Sequence, residues 1–453
     1  MAEHALEAEN MDGSGNVSVR TVGQADVATK RQIIFNVSIA SVQSFGNVKL
    51  EVLEELITLY FIDDHNDENK DFISVILNAQ QMQHIQNIQP YIFMTTDTST
   101  NVNITTSEKL LEDHITEFNS SVTIPYPDFG INDSSNLNAI RIRSTESISV
   151  AVNVRQDITT LIPTEKLSTS YILSPPYKDL IFDTFAAMTV TAIHDDTRIT
   201  FSESWGPTFP EYTLNALETR VHEYHGRPTK TYSIQSSKPV AVFCGLYCRS
   251  DANCSNMIEH IPPSNQLDTV YIIPPYYDRP LTLSLLLSQK NTTISYSNET
   301  DTIIAGRRRV LFTPQNETMV VRSGDPILMT SYALKGLHLD DESPYWIVVP
   351  GVNQYLPRYK VIIPNGWETN YITIMIRKSA VNGLRVDKQS INTNTIRLEN
   401  NVFVENLEYS VIIAEVTEGE LTLESIDKTP FGLMVYGTRG RAVYGFAGNV
   451  ILR

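Results

Sequence analysis

From about residue 70 to the C-terminus, short runs of Val, Ile, Thr, Tyr and Phe alternate with clusters of Pro, Asn, Asp and Gly. Apolar runs this short, rich in β-branched and aromatic residues and bounded by turn formers, predict strands. Two examples are MTVTAI-HDDT-RITF at 188–201 and LLLS-QKNT-TISY at 285–296. Each reads as a hairpin whose tip carries Asp or Asn, residues that favour tight turns. Upstream the pattern changes. Val48 to Phe61, VKLEVLEELITLYF, has apolar residues at helical spacing and predicts a helix, whereas residues 1–30 lack periodicity and read as a disordered tail.

A repeat underlies the alternation. Tyr171 to Pro176 reads YILSPP, Tyr271 to Tyr276 reads YIIPPY and Tyr359 to Pro364 reads YKVIIP; Tyr91 opens a weaker copy, YIFMTT. Pro163 and Pro263 stand at the same distance before the first two. Each copy also ends alike, with a polar turn leading into an apolar strand. The four ends are Ser144-Thr145-Glu146 before SISVAV, Ser237-Lys238-Pro239 before VAVF, Gly324-Asp325-Pro326 before ILMTSY, and Lys428-Thr429-Pro430 before FGLMVYG. The fold class is therefore all-β, with about four repeated units of roughly 55–100 residues. The boundaries fall at 70–160, 161–261, 262–348 and 349–453, preceded by the tail at 1–30 and an N-terminal segment at 31–69. Tandem sandwich-like modules are the expected arrangement. Radial closure, as in a propeller, is the alternative, and there the first unit would contact the fourth.

Composition narrows the partners. The 453 residues carry 35 Lys plus Arg against 52 Asp plus Glu, a net charge of −17. Such a balance repels phosphate backbones and argues against nucleic acid and against a polybasic attachment to anionic membrane. With no run of 18 or more apolar residues, no membrane span is expected. The N-terminus, MAEHALEAENMDGSG, has neither a basic n-region nor an apolar h-region, so no signal peptide is expected in it. Asn-x-Ser/Thr sequons point the other way, toward secretion. They begin at Asn16, Asn36, Asn103, Asn119, Asn132, Asn253, Asn291, Asn298 and Asn316, about twice the number that chance would place.

The three cysteines, Cys244, Cys248 and Cys254, exclude a disulfide-dense scaffold and lack a fourth zinc ligand. Cys244 sits in the apolar run PVAVFCG and should be buried. Cys248 and Cys254 flank the polar loop RSDAN; a small disulfide ring and three free thiols both remain open. No G-x-S-x-G, HExxH, Walker or dinucleotide motif occurs, so no enzyme, cofactor or metal is expected. His222-Glu223-Tyr224-His225 resembles a truncated zinc motif, but on a strand its two histidines face opposite ways. His194-Asp195-Asp196 reads as a turn, since its counterpart in the next unit is Gln289-Lys290-Asn291. Asp63 to Glu68 lacks the glycine and closing Glu of a calcium loop and reads as a solvated acidic loop. Arg307-Arg308-Arg309 reads as an exposed turn that could meet an acidic partner.

The stretch Ser237 to Tyr276, SKPVAVFCGLYCRSDANCSNMIEHIPPSNQLDTVYIIPPY, resembles the N-terminal domain of the IgG Fc-binding protein family. The features are Gly245 at a strand end, Cys248, a short loop, Cys254, and the acidic stretch EHIPP from Glu259 to Pro263. PFGLMVYG…AVYGFAGN, Pro430 to Asn449, is similar to the family's closing strand, and KDFISVILNAQ from Lys70 to its opening strands. The resemblance spans about 70–450. It implies a disulfide between Cys248 and Cys254, with Cys244 an extra buried thiol, and an extracellular glycoprotein in mucus or at a cell surface. The expectation is a non-enzymatic binding or adhesion module that offers loops to a protein or glycan, mucin-like or surface-bound. Its glycans would sit on Asn36, Asn103, Asn119, Asn132, Asn253, Asn291, Asn298 and Asn316. Loop aromatics such as Trp205, Tyr276, Tyr277 and Trp346 would supply affinity, although ordinary packing between units is the stronger expectation for any single one of them. The alternatives are a carbohydrate-active enzyme using a carboxylate pair at one end of a central channel, a structural coat protein, and a cytoplasmic location.

Overall fold

The computed structural model describes residues 6–11, 17–21, 70–75, 90–106, 116–125, 137–154, 157–176, 184–204, 206, 208–224, 230–248, 256–297, 299–334, 344–440 and 442–450. The helix expected at 48–61 and the acidic loop at 63–68 lie outside these residues. Met1–Asp63 and Asp64–Arg453 are separate compact units. In the first, within the expected tail, Leu6–Met11 pairs antiparallel with Val17–Thr21.

Asp64–Arg453 is all-β, built from four copies of one arrangement. In the second copy, the 17-residue strand Tyr232–Cys248 belongs to one eight-stranded sheet but takes different neighbours along its two halves. Its first half is flanked by Ser168–Leu173 and Thr197–Glu203, and its second half by Thr184–Ala192 and Met257–His260. The third copy repeats this around Met319–Leu334. Asp268–Ile273 and Thr292–Tyr296 flank the first half, Leu281–Ser288 and Tyr345–Val348 the second. In the first and fourth copies the central strand is interrupted, giving Ile140–Ser144 and Ile148–Val154, then Gly419–Ser425 and Phe431–Arg439. Each copy is thus sandwich-like, with one chain path serving two sheets in the first and fourth copies and both halves of one sheet in the second and third.

The polar turns expected to close the units are the bends of these strands. Alternation alone would carry the strand straight on, but a small hydroxyl folds it. Ser144 Oγ donates to the carbonyl of Glu146 at 2.7 Å, Ser236 to Lys238 at 2.7 Å, and Ser323 to Asp325 at 2.6 Å. In the fourth copy Ser425 Oγ bonds the Asp427 carboxylate at 2.5 Å instead.

This geometry corrects two readings. MTVTAI and RITF do not pair with each other, and neither do LLLS and TISY; within each couple the strands flank opposite halves of the same bent strand. HDDT and QKNT are therefore arches that cross from one half of the bent strand to the other. The turn reading of His194-Asp195-Asp196 stands, with Asp196 at φ 53°. The counterpart of Tyr171 in the first copy is also not Tyr91. Phe72, Tyr171, Tyr271 and Tyr359 face Ile142, Ile234, Val321 and Leu423, each two residues before a bend serine. Tyr91–Thr96 instead pairs with the strand after the bend.

The last strand of each copy is short: Asp157–Thr160, Met257–His260, Tyr345–Val348 and Ala442–Ala447. The first touches the second, the second the third, the third the fourth, and the fourth the first, so the four copies close around an axis. Apolar clusters fill the seams. Phe243 and Ile258 pack with Ile92 and Val150, Trp346 and Leu285 with Tyr171 and Phe201, Tyr345 with Tyr436, and Phe93 and Ile158 with Ile374. Fully burying side chains of this kind stabilises by about 1.5–3 kcal/mol each, so the seams carry much of the cohesion. At the closing seam Thr95 Oγ1 donates to the Lys360 carbonyl at 2.9 Å and Thr160 Oγ1 to that of Ala447 at 2.8 Å. No helix among the described residues is long and apolar enough to cross a membrane.

Candidate binding site at the axis

Where the four short strands meet, the second copy differs from the others by carrying Glu259 and His260. Their approach depends on Gly245, which faces Ile258; a Cβ there would lie 2.2 Å from the Met257 carbonyl oxygen. Successive strand residues face opposite ways, so the two side chains part. Glu259 Oε2 accepts from Thr159 Oγ1 at 3.1 Å and Oε1 from the Val348 N–H at 3.2 Å. His260 Nδ1 accepts from the Ile162 N–H at 3.0 Å, and its ring stacks on Phe243 with centroids 4.3 Å apart.

Asp157 opens the equivalent strand of the first copy. It accepts from the backbone N–H groups of Ile258, Ile158 and Gly445. Two acids therefore tie four copies together: Asp157 reaches the second and fourth, Glu259 the first and third. Both are buried. Desolvation raises the Asp157 pKa well above the ordinary carboxylate range, against the lowering effect of its three donors. Desolvation, then the neighbouring charge of Asp157, does the same for Glu259. Burial holds His260 neutral by lowering its pKa to about 3.

A cavity of about 190 Å³ opens beside these groups, lined by the residues that follow the four short strands. A wider groove of about 490 Å³ runs along the seam between the first and fourth copies, with Thr95, Asp97, Arg358 and Lys360 in its walls. Arg358 pairs there with Asp97, and Lys360 with Glu420.

The residues singled out in sequence are scattered. Tyr276 and Trp346 are buried and serve as packing between copies rather than as loop anchors; Tyr276 packs with the third and fourth copies and Trp346 with the second. Tyr277 is 38% exposed, and Trp205 lies outside the described residues. Asn103, Asn119, Asn291 and Asn316 are exposed; Asn36, Asn132, Asn253 and Asn298 lie outside the described residues. Cys244 is a free, buried thiol whose pKa burial pushes up. Cys248 ends the long strand, paired with Thr184, and Cys254 lies outside the described residues.

His222 stacks on Phe201 and shares a hydrogen bond with the Tyr212 hydroxyl at 3.0 Å, and desolvation lowers its pKa to about 4. His225 lies outside the described residues. Among the described residues no group of three or more His, Cys, Asp or Glu is placed to hold a metal ion. Arg307 is exposed, whereas Arg309 is engaged by Asp301. Asp157 has no mark in the sequence reading and Glu259 enters it only as part of EHIPP, although a signal for burial exists: a charged residue inside an apolar run, as in MIEHI, must find buried partners.

No curated protein matches the chain. A family model described as IgGFc binding protein matches residues 157–437, more than half of the chain, from Asp157 through the central strands of the fourth copy. The match takes in EHIPP, where Glu259 and His260 stand at the axis, and the chain belongs to the IgGFc-binding protein family.

Proposed function

We propose that this chain is an extracellular, non-enzymatic binding module that presents its inter-strand loops to a protein or glycan partner in mucus or at a cell surface. The family match over 157–437 carries the reading. Exposed apolar side chains on a rigid all-β scaffold support it. Phe403 and Leu407, 63% and 43% exposed, flank the tip joining Ile396–Val404 to Leu407–Glu415, and Phe312 is 59% exposed. Such side chains are the usual anchors of a partner interface. The test is biolayer interferometry of the full chain against purified mucin and immobilised IgG Fc. Saturable binding to either, weakened at least tenfold by Phe403→Ser with Leu407→Ser, supports the reading. Binding to neither removes its support.

A second reading rests on the axial acids, since a carboxylate pair at a central cavity is what a hidden glycosidase would need. Both carboxyls, however, are buried and hold the ring together through hydrogen bonds. Glycan hydrolysis that disappears in Glu259→Gln with the fold intact would favour the enzyme.

A further inference from the structure

The four seams of the ring are not built alike. In every copy the second pair of residues after the bend lies on the face turned to the preceding copy. In the third copy it is Leu287 opposite Leu328, clustered with Tyr171 and Phe201. In the fourth it is Met375 opposite Gly432, with Met375 clustered with Ile272. In the second it is Thr191 opposite Ala241, and the buried Thr191 hydroxyl bonds that of Thr219 at 2.8 Å. The first copy has Thr95 opposite Ser149, and its seam with the fourth copy holds the groove of about 490 Å³. Two hydroxyls stand where the third copy has two leucines, so this seam forgoes the apolar burial that closes that one.

The polar groups reach across the groove. Thr95 Oγ1 donates to the Lys360 carbonyl at 2.9 Å, and Ser149 Oγ accepts from Asn449 Nδ2; all four residues line the groove. The second bond leaves Ser149 its hydrogen to donate and Asn449 its Oδ1 to accept with. Both residues are half-buried and Asp97 on the same lining is exposed, so a ligand can reach them. Phe93, Ala151 and Phe446 add apolar surface to the lining.

Charge selects further. Asp97 and Glu146 stand against Arg358 and Lys360 along the lining, and Glu424 and Glu420 lie 3.8 Å from Arg358 and 3.2 Å from Lys360. An anion therefore meets an excess of carboxylates, and a cation finds three of those carboxylates already paired. What suits the wall is uncharged, carries several hydroxyls that both donate and accept, and offers C–H faces to apolar surface. A sugar has all three properties. The volume lies within the range of about 300–1,000 Å³ usual for small-molecule sites.

We propose that the groove between the first and fourth copies binds a short neutral saccharide, held by Ser149, Asn449 and Asp97. This gives the binding module a glycan partner at a place separate from the loop tip of Phe403 and Leu407. The two readings fail separately, because free disaccharides test the groove while the Phe403→Ser, Leu407→Ser protein tests the tip.

The probes are lactose, maltose, cellobiose and N,N′-diacetylchitobiose, with 3′-sialyllactose and a chondroitin sulfate disaccharide as anionic counterparts, titrated into the full chain by calorimetry and ligand-observed NMR. At least one neutral disaccharide is expected to saturate a single site, and both anionic sugars to bind it about tenfold more weakly or not at all. Ser149→Leu introduces the side chain that the third copy carries at Leu328 and should abolish binding by filling the groove. Asp97→Ala, at an exposed position, should weaken binding about tenfold through loss of one charged hydrogen bond. Thermal unfolding checks the fold of both variants. Absence of saturable binding by every neutral probe, equal affinity for an anionic one, or unchanged affinity in the folded Asp97→Ala protein would overturn the proposal.

Discussion

The Tyr171 hydroxyl donates to the carbonyl of Val240 at 2.6 Å, the residue that follows the bend proline Pro239. The same bond joins Tyr271 to Ile327 at 2.5 Å and Tyr359 to Phe431 at 2.6 Å, again just after Pro326 and Pro430. Each hydroxyl also accepts from a backbone N–H three residues earlier, on Ser168, Asp268 or Leu356. One phenol thus fixes the start of a copy to the bend of its central strand. In the first copy Phe72 fills the place without a hydroxyl.

Tyr171→Phe, Tyr271→Phe and Tyr359→Phe should each leave a buried N–H and C=O short of a partner and cost about 1–2 kcal/mol. Urea unfolding at one pH measures this. Phe72→Ala should instead cost about 3–5 kcal/mol, as a core truncation. Losses below about 0.5 kcal/mol in all three tyrosine variants would remove the clamp from the account.

Replacing Ser236 or Ser323 by Ala removes the hydroxyl that spans the bend. A loss of about 1 kcal/mol is expected at each, because the carbonyls of Lys238 and Asp325 lose that donor. Equilibrium unfolding measures both, and a loss below about 0.3 kcal/mol at each would show that the hydroxyl does not hold the bend.

Glu259→Ala should destabilise the ring by about 3 kcal/mol, since Val348 N–H and Thr159 Oγ1 lose their shared acceptor inside the axis. Glu259→Gln keeps one acceptor oxygen and should cost less. If the acid did not join the copies, the two variants would unfold alike.

The pH dependence has opposing parts. His260 has a folded pKa near 3 against about 6.5 unfolded, so the unfolded chain binds the extra proton. Its contribution falls as pH drops from about 6.5 toward 3, by up to about 4 kcal/mol. Asp157 and Glu259 have raised folded pKa values. Their contribution is greatest below the unfolded carboxylate range and is lost as pH rises through the folded values. The stability difference between wild type and His260→Phe should therefore shrink with acid, measured by urea unfolding from pH 7 to pH 4. A pH-independent difference contradicts a buried neutral histidine.

The repeat was legible because Tyr-Ile and Pro recur at matching places, and the polar triplets before apolar runs marked four real bends. The arches at 194–197 and 289–292 were not, because alternation is identical whether two strands pair with each other or with opposite halves of a third. Phe72 escaped because the residue that identifies the other copies is the hydroxyl it lacks. Asp157, in RQDITT, looks like a turn residue until the neighbouring copies bring the N–H groups of Ile258 and Gly445 to it.

Peptide mapping of the protein from its native source, by mass spectrometry under non-reducing conditions, tests the extracellular assignment most directly. The account predicts a linked Cys248–Cys254 peptide, a free Cys244, and glycans on exposed sites such as Asn291 and Asn316. Three free thiols and bare asparagines would contradict it.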